Sequence, residues 1–270
     1  MDNKSPITSR RDHDEPPVFT AEGLIREARR QLHIPEGAIP PIGVLDPDGD
    51  ILRHLQAQGR AVKDSHWPCY HSELWRFETG HGEAGLVGSA VGGPYAVLIA
   101  EQMFCCGCEL VVSVTSAGQI TPVGDPPYFV LAEGALRDEG TSYHYLPPDR
   151  YVMLDEGMKI FAQRALQDVP SRIETGRVWT TDAPFRETET GIARARDDGV
   201  LAVEMETASL YAFAAKKRKP VLCFAHVTNR MAQVENDFEK GEAWGSEAAL
   251  TLIASVAKAW RARSVSHEGA

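Results

Sequence analysis

Short apolar runs alternate with stretches of helical period along most of the chain. Residues 19–32 predict a helix, with Thr20 at its cap and Leu24, Ile25, Ala28 and Leu32 on one face. Prolines between 35 and 41 end it. Residues 42–45 then predict a strand, and Asp46-Pro47-Asp48-Gly49-Asp50 a turn into a helix carrying Ile51, Leu52 and Leu55. Further strands are predicted at 85–91, 110–114, 128–132, 177–181, 201–203 and 221–227, and helices at 95–106, 151–167, 206–217 and 242–261. This alternation implies an α/β fold, a single-domain α/β/α sandwich around a central mixed, largely parallel sheet. The domain is expected to span 18–265, after a polar, disordered arm over residues 1–17.

The predicted strands end in small or polar groups: Asp46 and Asp48, Gly92 and Gly93, Thr115 and Ser116, Thr181 and Asp182, Glu204 and Glu206, then Thr228, Asn229 and Arg230. A doubly covered sheet collects its strand ends along one rim, so these residues are expected to line one crevice. Within it, Val203-Glu204-Met205-Glu206 sets two acids around a thioether. A carboxylate can accept hydrogen bonds from both hydroxyls of a ribose 2′,3′ pair, over the apolar floor Met205 offers. The same acids also suit the first turn of a helix through its dipole. Both readings stand on the local pattern alone.

Composition narrows the partners. The formal net charge of -10 argues against nucleic acid, which needs a basic surface, and favours a small molecule. No apolar run approaches a membrane span and the first residues are polar, so a cytoplasmic protein with no membrane partner is expected. The five cysteines, 69, 105, 106, 108 and 223, fit neither a disulfide framework nor a zinc site with a second pair, so buried thiols and no metal are expected.

Taken in order, the motifs resemble the nucleoside phosphorylase superfamily, and most nearly its uridine phosphorylase branch. The matching stretches are Val18-Phe19-Thr20, Asp46-Pro47-Asp48, Ser89 to Pro94, Thr115 to Gly118, Arg137 to Ser142, Val203 to Ala208 and Val227-Thr228-Asn229-Arg230. The resemblance implies cleavage of a nucleoside's N-glycosidic bond through an oxocarbenium-like transition state, without a cofactor beyond inorganic phosphate as co-substrate. It implies that Glu206 holds the ribose hydroxyls, with Glu204, Met205 and Ser116 beside the sugar. Gly92, Gly93, Ser113, Thr115 and Ser116 would then face the phosphate or water, and Thr181 the base. It further implies a homodimer or homohexamer, with the Phe19 and Tyr70 to Ser72 segments reaching a neighbour's site.

The sequence departs from that pattern at the nucleophile. Phosphorylases of the family grip phosphate with arginine forks. Here the Gly-Asp-Pro-x-Arg loop reads Leu45-Asp46-Pro47-Asp48-Gly49, and the arginine expected before Thr115 is Ser113. A third falls among Tyr70, His71 and Ser72. Asp46 and Asp48 would repel phosphate, and Asp48 can instead serve a water nucleophile as general base. A solvated turn is the bland alternative, and Arg53, Arg76 or His71 are the side chains able to restore phosphate binding.

The base side differs too. The family's glutamine is missing from Thr180 to Thr188, leaving Phe185 to stack and Arg186 to hydrogen-bond a base. Asn229 and Arg230 stand where the purine-cleaving branch has an acid. An amide can meet a carbonyl-bearing base but cannot protonate one, so a pyrimidine or oxopurine is expected over adenosine. His226 is a candidate acid or a core histidine. Hydrolysis and phosphorolysis both remain open, as do a same-fold enzyme for a modified nucleoside or nucleotide and a non-catalytic nucleoside binder.

Overall fold

The computed structural model describes residue 7, residues 12–231 and residues 235–267, the last four by backbone alone. The first half runs α1 (Ala21–Leu32), β1 (Ile42–Asp46), α2 (Asp50–Ala57), β2 (Val62–Lys63), β3 (Trp75–Glu78), β4 (Glu83–Gly88), α3 (Gly93–Cys105) and β5 (Leu110–Gln119). The second half runs β6 (Tyr128–Asp138), α4 (Ser142–Tyr145), β7 (Tyr151–Met153), α5 (Glu156–Ala165), β8 (Ile173–Thr181), α6 (Glu189–Asp197), β9 (Val200–Glu204), α7 (Thr207–Lys217), β10 (Val221–Asn229) and α8 (Ser246–His267).

Thr20 caps α1 by accepting from the Gly23 amide at 3.1 Å, and Ile25 and Ala28 face inward. β1 is buried at every position, as a central strand with parallel neighbours β4 and β5 must be. The strands form one mixed sheet in the order β10-β6-β8-β9-β5-β1-β4-β3-β2, with β7 beside β6. β10 also pairs with β5 in parallel, from Val221 opposite Val111 to Asn229 opposite Gly118. That pairing closes β5, β9, β8, β6 and β10 into a ring, so the sheet is a barrel at one end and an open sheet at the other.

Two elements differ from the expectation. β5 does not stop at Val114 but continues to Gln119, because its second half pairs with β9, Gly118 opposite Val203, while still bound to β10. The helix expected over 151–167 is instead β7 followed by α5, since Tyr151 to Met153 supply a short partner for β6. Phe129, Val130, Leu131, Phe224 and Ala225 of β6 and β10 are all buried, their alternating side chains packing on both faces of the ring wall. Tyr211 of α7 is buried against it, donating to the Ala132 carbonyl at 2.6 Å and accepting from the Cys223 amide at 3.2 Å. Those bonds fix α7, and with it the Glu204 to Thr207 corner.

Residues 1–6 and 8–11 of the expected arm lie outside the described residues. Of the rest, a His13 ring nitrogen lies 3.1 Å from the Tyr143 carbonyl oxygen and Asp14 pairs with Lys216 at 2.8 Å. All five cysteines are free thiols, Cys105 exposed and the others buried. Among the described residues no helix is long and apolar enough to cross a membrane, and no group of three or more His, Cys, Asp or Glu is placed to hold a metal.

Candidate active site

The carboxyl ends of β1, β5, β9 and β10 meet at one rim. Asp46 and Asp48 come from the β1–α2 turn, Thr115 and Ser116 from β5, Glu204 and Glu206 from the β9–α7 corner, and His226 and Asn229 from β10. The register places Ser116 opposite His226.

Glu204 is spent on its own corner. Its Oε1 accepts from the Thr180 hydroxyl at 2.5 Å, and its Oε2 from the Glu206 and Thr207 amides at 2.8 Å each. It therefore satisfies the first amides of α7, the structural task of a helix-start acid. Burial pushes its carboxyl upward, opposed by those same hydrogen bonds.

Glu206 is placed differently. It is 1% exposed, its Oε1 accepts from the Gly92 amide at 2.7 Å, its buried Oε2 has no hydrogen bond of ordinary geometry among the described residues, and the Thr115 hydroxyl is the other group favouring its charged form. A buried carboxylate oxygen without a donor is costly, so the group is poised to receive one. Burial first, and the neighbouring Glu204 second, push its pKa up to about 8. The pair thus splits a structural acid from an available one.

Gly92 reaches Glu206 because its φ of 87° turns the amide toward it. The Gly92 amide is therefore engaged by the acid and not free for an anion. Gly93 opens α3 against α7: a Cβ there would lie 2.1 Å from Ser209 Oγ, whose hydroxyl donates to Glu139 at 2.6 Å. Gly93→Ala is expected to cost about 1–3 kcal/mol of stability through this overlap, read by chemical denaturation.

Around the nucleophile position, the Asp46 oxygens accept from the Gly49 amide at 3.1 Å and the Leu52 amide at 2.9 Å, so Asp46 shapes the turn. Burial pushes its carboxyl up to about 7. Asp48 points across to β5, where its Oδ2 accepts from the Ser116 amide at 2.9 Å and from the Ser116 hydroxyl. A cavity of about 20 Å³ lies between Asp46, Asp48, Thr115, Ser116, His226 and Trp244. One water needs roughly 10–15 Å³, so this space is large enough for a water. Ser113 is buried on the same strand, its hydroxyl unpartnered among the described residues.

His226 stacks on Phe129 with ring centroids 4.6 Å apart, and burial drives its pKa down to about 4. A ring held neutral near pH 7 can accept or donate a hydrogen bond there. Asn229 is buried, with Nδ2 3.2 Å from Thr228 Oγ1 and 3.4 Å from the Ala117 carbonyl, and Oδ1 accepting from Met231 at 2.9 Å.

Other expected residues lie away from this cluster. Phe185 is 99% exposed on a single turn of 3-10 helix, Arg186 beside it is exposed, and Arg230 pairs with exposed Asp125. Their base-reading roles are therefore not assembled in this form of the chain, whereas Thr181 is buried at the end of β8. Arg76 is committed to Asp64 and to Glu83, and His71 lies with Tyr70 and Ser72 along a separate cavity of about 640 Å³. Neither lines the cavity beside Asp48. Sequence reasoning missed Lys240, whose Nζ lies 2.6 Å from Asp50 and 3.7 Å from Asp48. No local pattern marks it, because the contact spans 190 positions.

A model of the phosphorylase superfamily matches residues 41–259. A guanosine phosphorylase from Halorubrum lacusprofundi is 26% identical over 48% of this chain and 54% of its own length. A uridine phosphorylase from Thermococcus kodakarensis is 27% identical over 77% of this chain and 82% of its own. The chain spans little more than half the length of several curated relatives it matches. Among solved structures, uridine phosphorylase from Vibrio fischeri superposes with a TM-score of 0.69 at 17% identity, covering 83% of this chain and 92% of that one.

Proposed function

The chain belongs to the phosphorylase superfamily, and from that premise we propose that it cleaves the N-glycosidic bond of a nucleoside with water as the nucleophile. The observation that carries the choice of water is the cavity of about 20 Å³ beside Asp48, with Asp46 and Asp50 also in its lining. Phosphate there would meet Asp46, Asp48 and Asp50 and no free arginine fork.

In this reading Glu206 takes the ribose hydroxyls on its unpartnered oxygen, and its negative charge favours the oxocarbenium character that develops as the base departs. Asp48 accepts the proton of the attacking water, held in place by its two bonds from Ser116. The Asn229 amide can hydrogen-bond the leaving base but not protonate it, which suits a carbonyl-bearing base able to leave as a stabilised anion. The names of the guanosine and uridine phosphorylase relatives support the same class.

A panel of uridine, guanosine, inosine and adenosine in phosphate-free buffer, followed by chromatography of the free base, tests substrate class. Uridine or an oxopurine nucleoside is expected to be cleaved faster than adenosine. Equal or faster release of adenine would overturn the base assignment, and binding of every nucleoside without release would make the chain a binder.

A further inference from the structure

The carboxylate of Asp50 sits between two cations that come from different elements. Its Oδ1 accepts from Arg53 Nη2 at 2.5 Å, and its Oδ2 lies 2.6 Å from Lys240 Nζ. Arg53 belongs to α2, one turn beyond Asp50, and its Nη2 also donates to the Asp48 carbonyl at 2.9 Å. Lys240 arrives from the segment after β10, which docks on that strand through the Glu239 amide and the Thr228 carbonyl at 2.7 Å. The Asp50 side chain is 13% exposed and the Lys240 side chain 19%, so their pairing is shielded from solvent screening. Asp50 itself lines the water-sized cavity with Asp46, Asp48 and His226.

The charges around this point decide what can enter. Asp46 and Asp48 face it from the same turn, Arg53 from α2, Lys240 from the segment after β10, and His226, neutral near pH 7, from β10. With Asp50 ionised, two cations meet two carboxylates besides the buried Asp46, and Asp50 engages Nη2 of the largely exposed Arg53 and Nζ of the shielded Lys240. Without that charge, Lys240 near Asp48 and Arg53 at the start of α2 would lose their shared carboxylate and leave an ammonium and a guanidinium next to Asp50, groups suited to phosphate oxygens.

We propose that Asp50 is the specificity-determining residue for the nucleophile: by holding Arg53 with one oxygen and Lys240 with the other, it withholds both cations from inorganic phosphate and leaves the position to water. This rests on the hydrolytic reading above and extends it to a residue outside the reacting groups. Asp50 acts through its partners Arg53 and Lys240.

The test compares the wild-type chain with Asp50→Asn and with the double variant Asp50→Asn/Lys240→Met, at ionic strength held constant with chloride. Binding of inorganic phosphate is measured by calorimetry, and nucleoside cleavage is followed as phosphate is added. Asp50→Asn is expected to bind phosphate at least about tenfold more tightly than wild type, and the double variant to lose most of that gain. Asparagine keeps the shape of the side chain at the start of α2, and a thermal melt without phosphate verifies that each variant is folded. Phosphate affinity in folded Asp50→Asn equal to that of wild type would overturn the proposal. The same holds for a gain that survives removal of Lys240 in full. Failure of the hydrolytic reading has a different signature, a wild-type chain that releases base only when phosphate is present.

Discussion

Replacing Glu206 by glutamine is expected to lower kcat/KM for base release by about 10²-fold or more, with the loss concentrated in kcat. The ground for this is the placement of its carboxyl, buried, with one oxygen on the Gly92 amide and the other unpartnered. Glutamine keeps the shape and can still accept one hydrogen bond, but it brings no negative charge to the sugar as positive charge develops there. The pH dependence sharpens the test. With a pKa pushed up to about 8 by burial and Glu204, the free enzyme holds Glu206 largely protonated at pH 7, so kcat/KM is expected to rise between pH 7 and 9. That limb should vanish in the glutamine variant. Full activity in Glu206→Gln would remove the ribose-clamp assignment.

Stability should move in the opposite sense. A carboxyl raised in the folded state favours folding while protonated, and that contribution fades as pH climbs from the unfolded value of roughly 4.3 through the folded pKa of about 8. Glu206→Gln is therefore expected to be the more stable form above pH 8, by on the order of 2 kcal/mol. Paired denaturation curves at pH 6 and pH 9 check the sign. Lost activity with gained alkaline stability is the pattern of a residue retained for function.

The second expectation concerns the nucleophile. Asp48→Asn should reduce base release in phosphate-free buffer by about 10²–10⁴-fold, the usual contribution of a positioned general base. Asparagine can still accept from Ser116 through its carbonyl, so the turn should remain in place while the proton acceptor is lost. Addition of azide or formate, each able to take a proton, is expected to restore part of the rate. A variant within about threefold of wild type would show that Asp48 does not act as the base.

Much of the rim was legible from the chain because its residues sit at the ends of strongly apolar strands. Residues 42–45, 201–203 and 221–227 were visible as buried runs, and each ends in a polar group that the fold brings to the same edge. β2 and β3 were not: Val62 and Lys63 are both exposed, and only Phe77 of β3 is buried, so neither carries an alternating pattern. α6 escaped for a similar reason, with Ala195 its one buried residue. Ring closure through β5 and β10 was beyond local reading altogether, since periodicity reports which face is buried and not which strand lies alongside.

At the site, residue type was easier to read than residue state. The acids of the β9–α7 corner could be found from Val203-Glu204-Met205-Glu206, but nothing in that string separates Glu204, bonded to Thr180 and two amides, from Glu206, which has an oxygen to spare. The distinction comes from Thr180 and Gly92, which approach from elsewhere in the chain. Lys240 shows the same limit more sharply. Its segment reads as a polar loop, and its importance arises only where it meets Asp48 and Asp50.

The most direct measurement of the central claim follows free base from uridine or guanosine as inorganic phosphate is raised from zero, with the sugar product identified by phosphorus NMR and a reducing-sugar assay. The expected result is a rate already at its full value without phosphate, free ribose as the product, and no ribose phosphate at any phosphate concentration. Base release that begins only when phosphate is added, with ribose 1-phosphate accumulating in step, would contradict it.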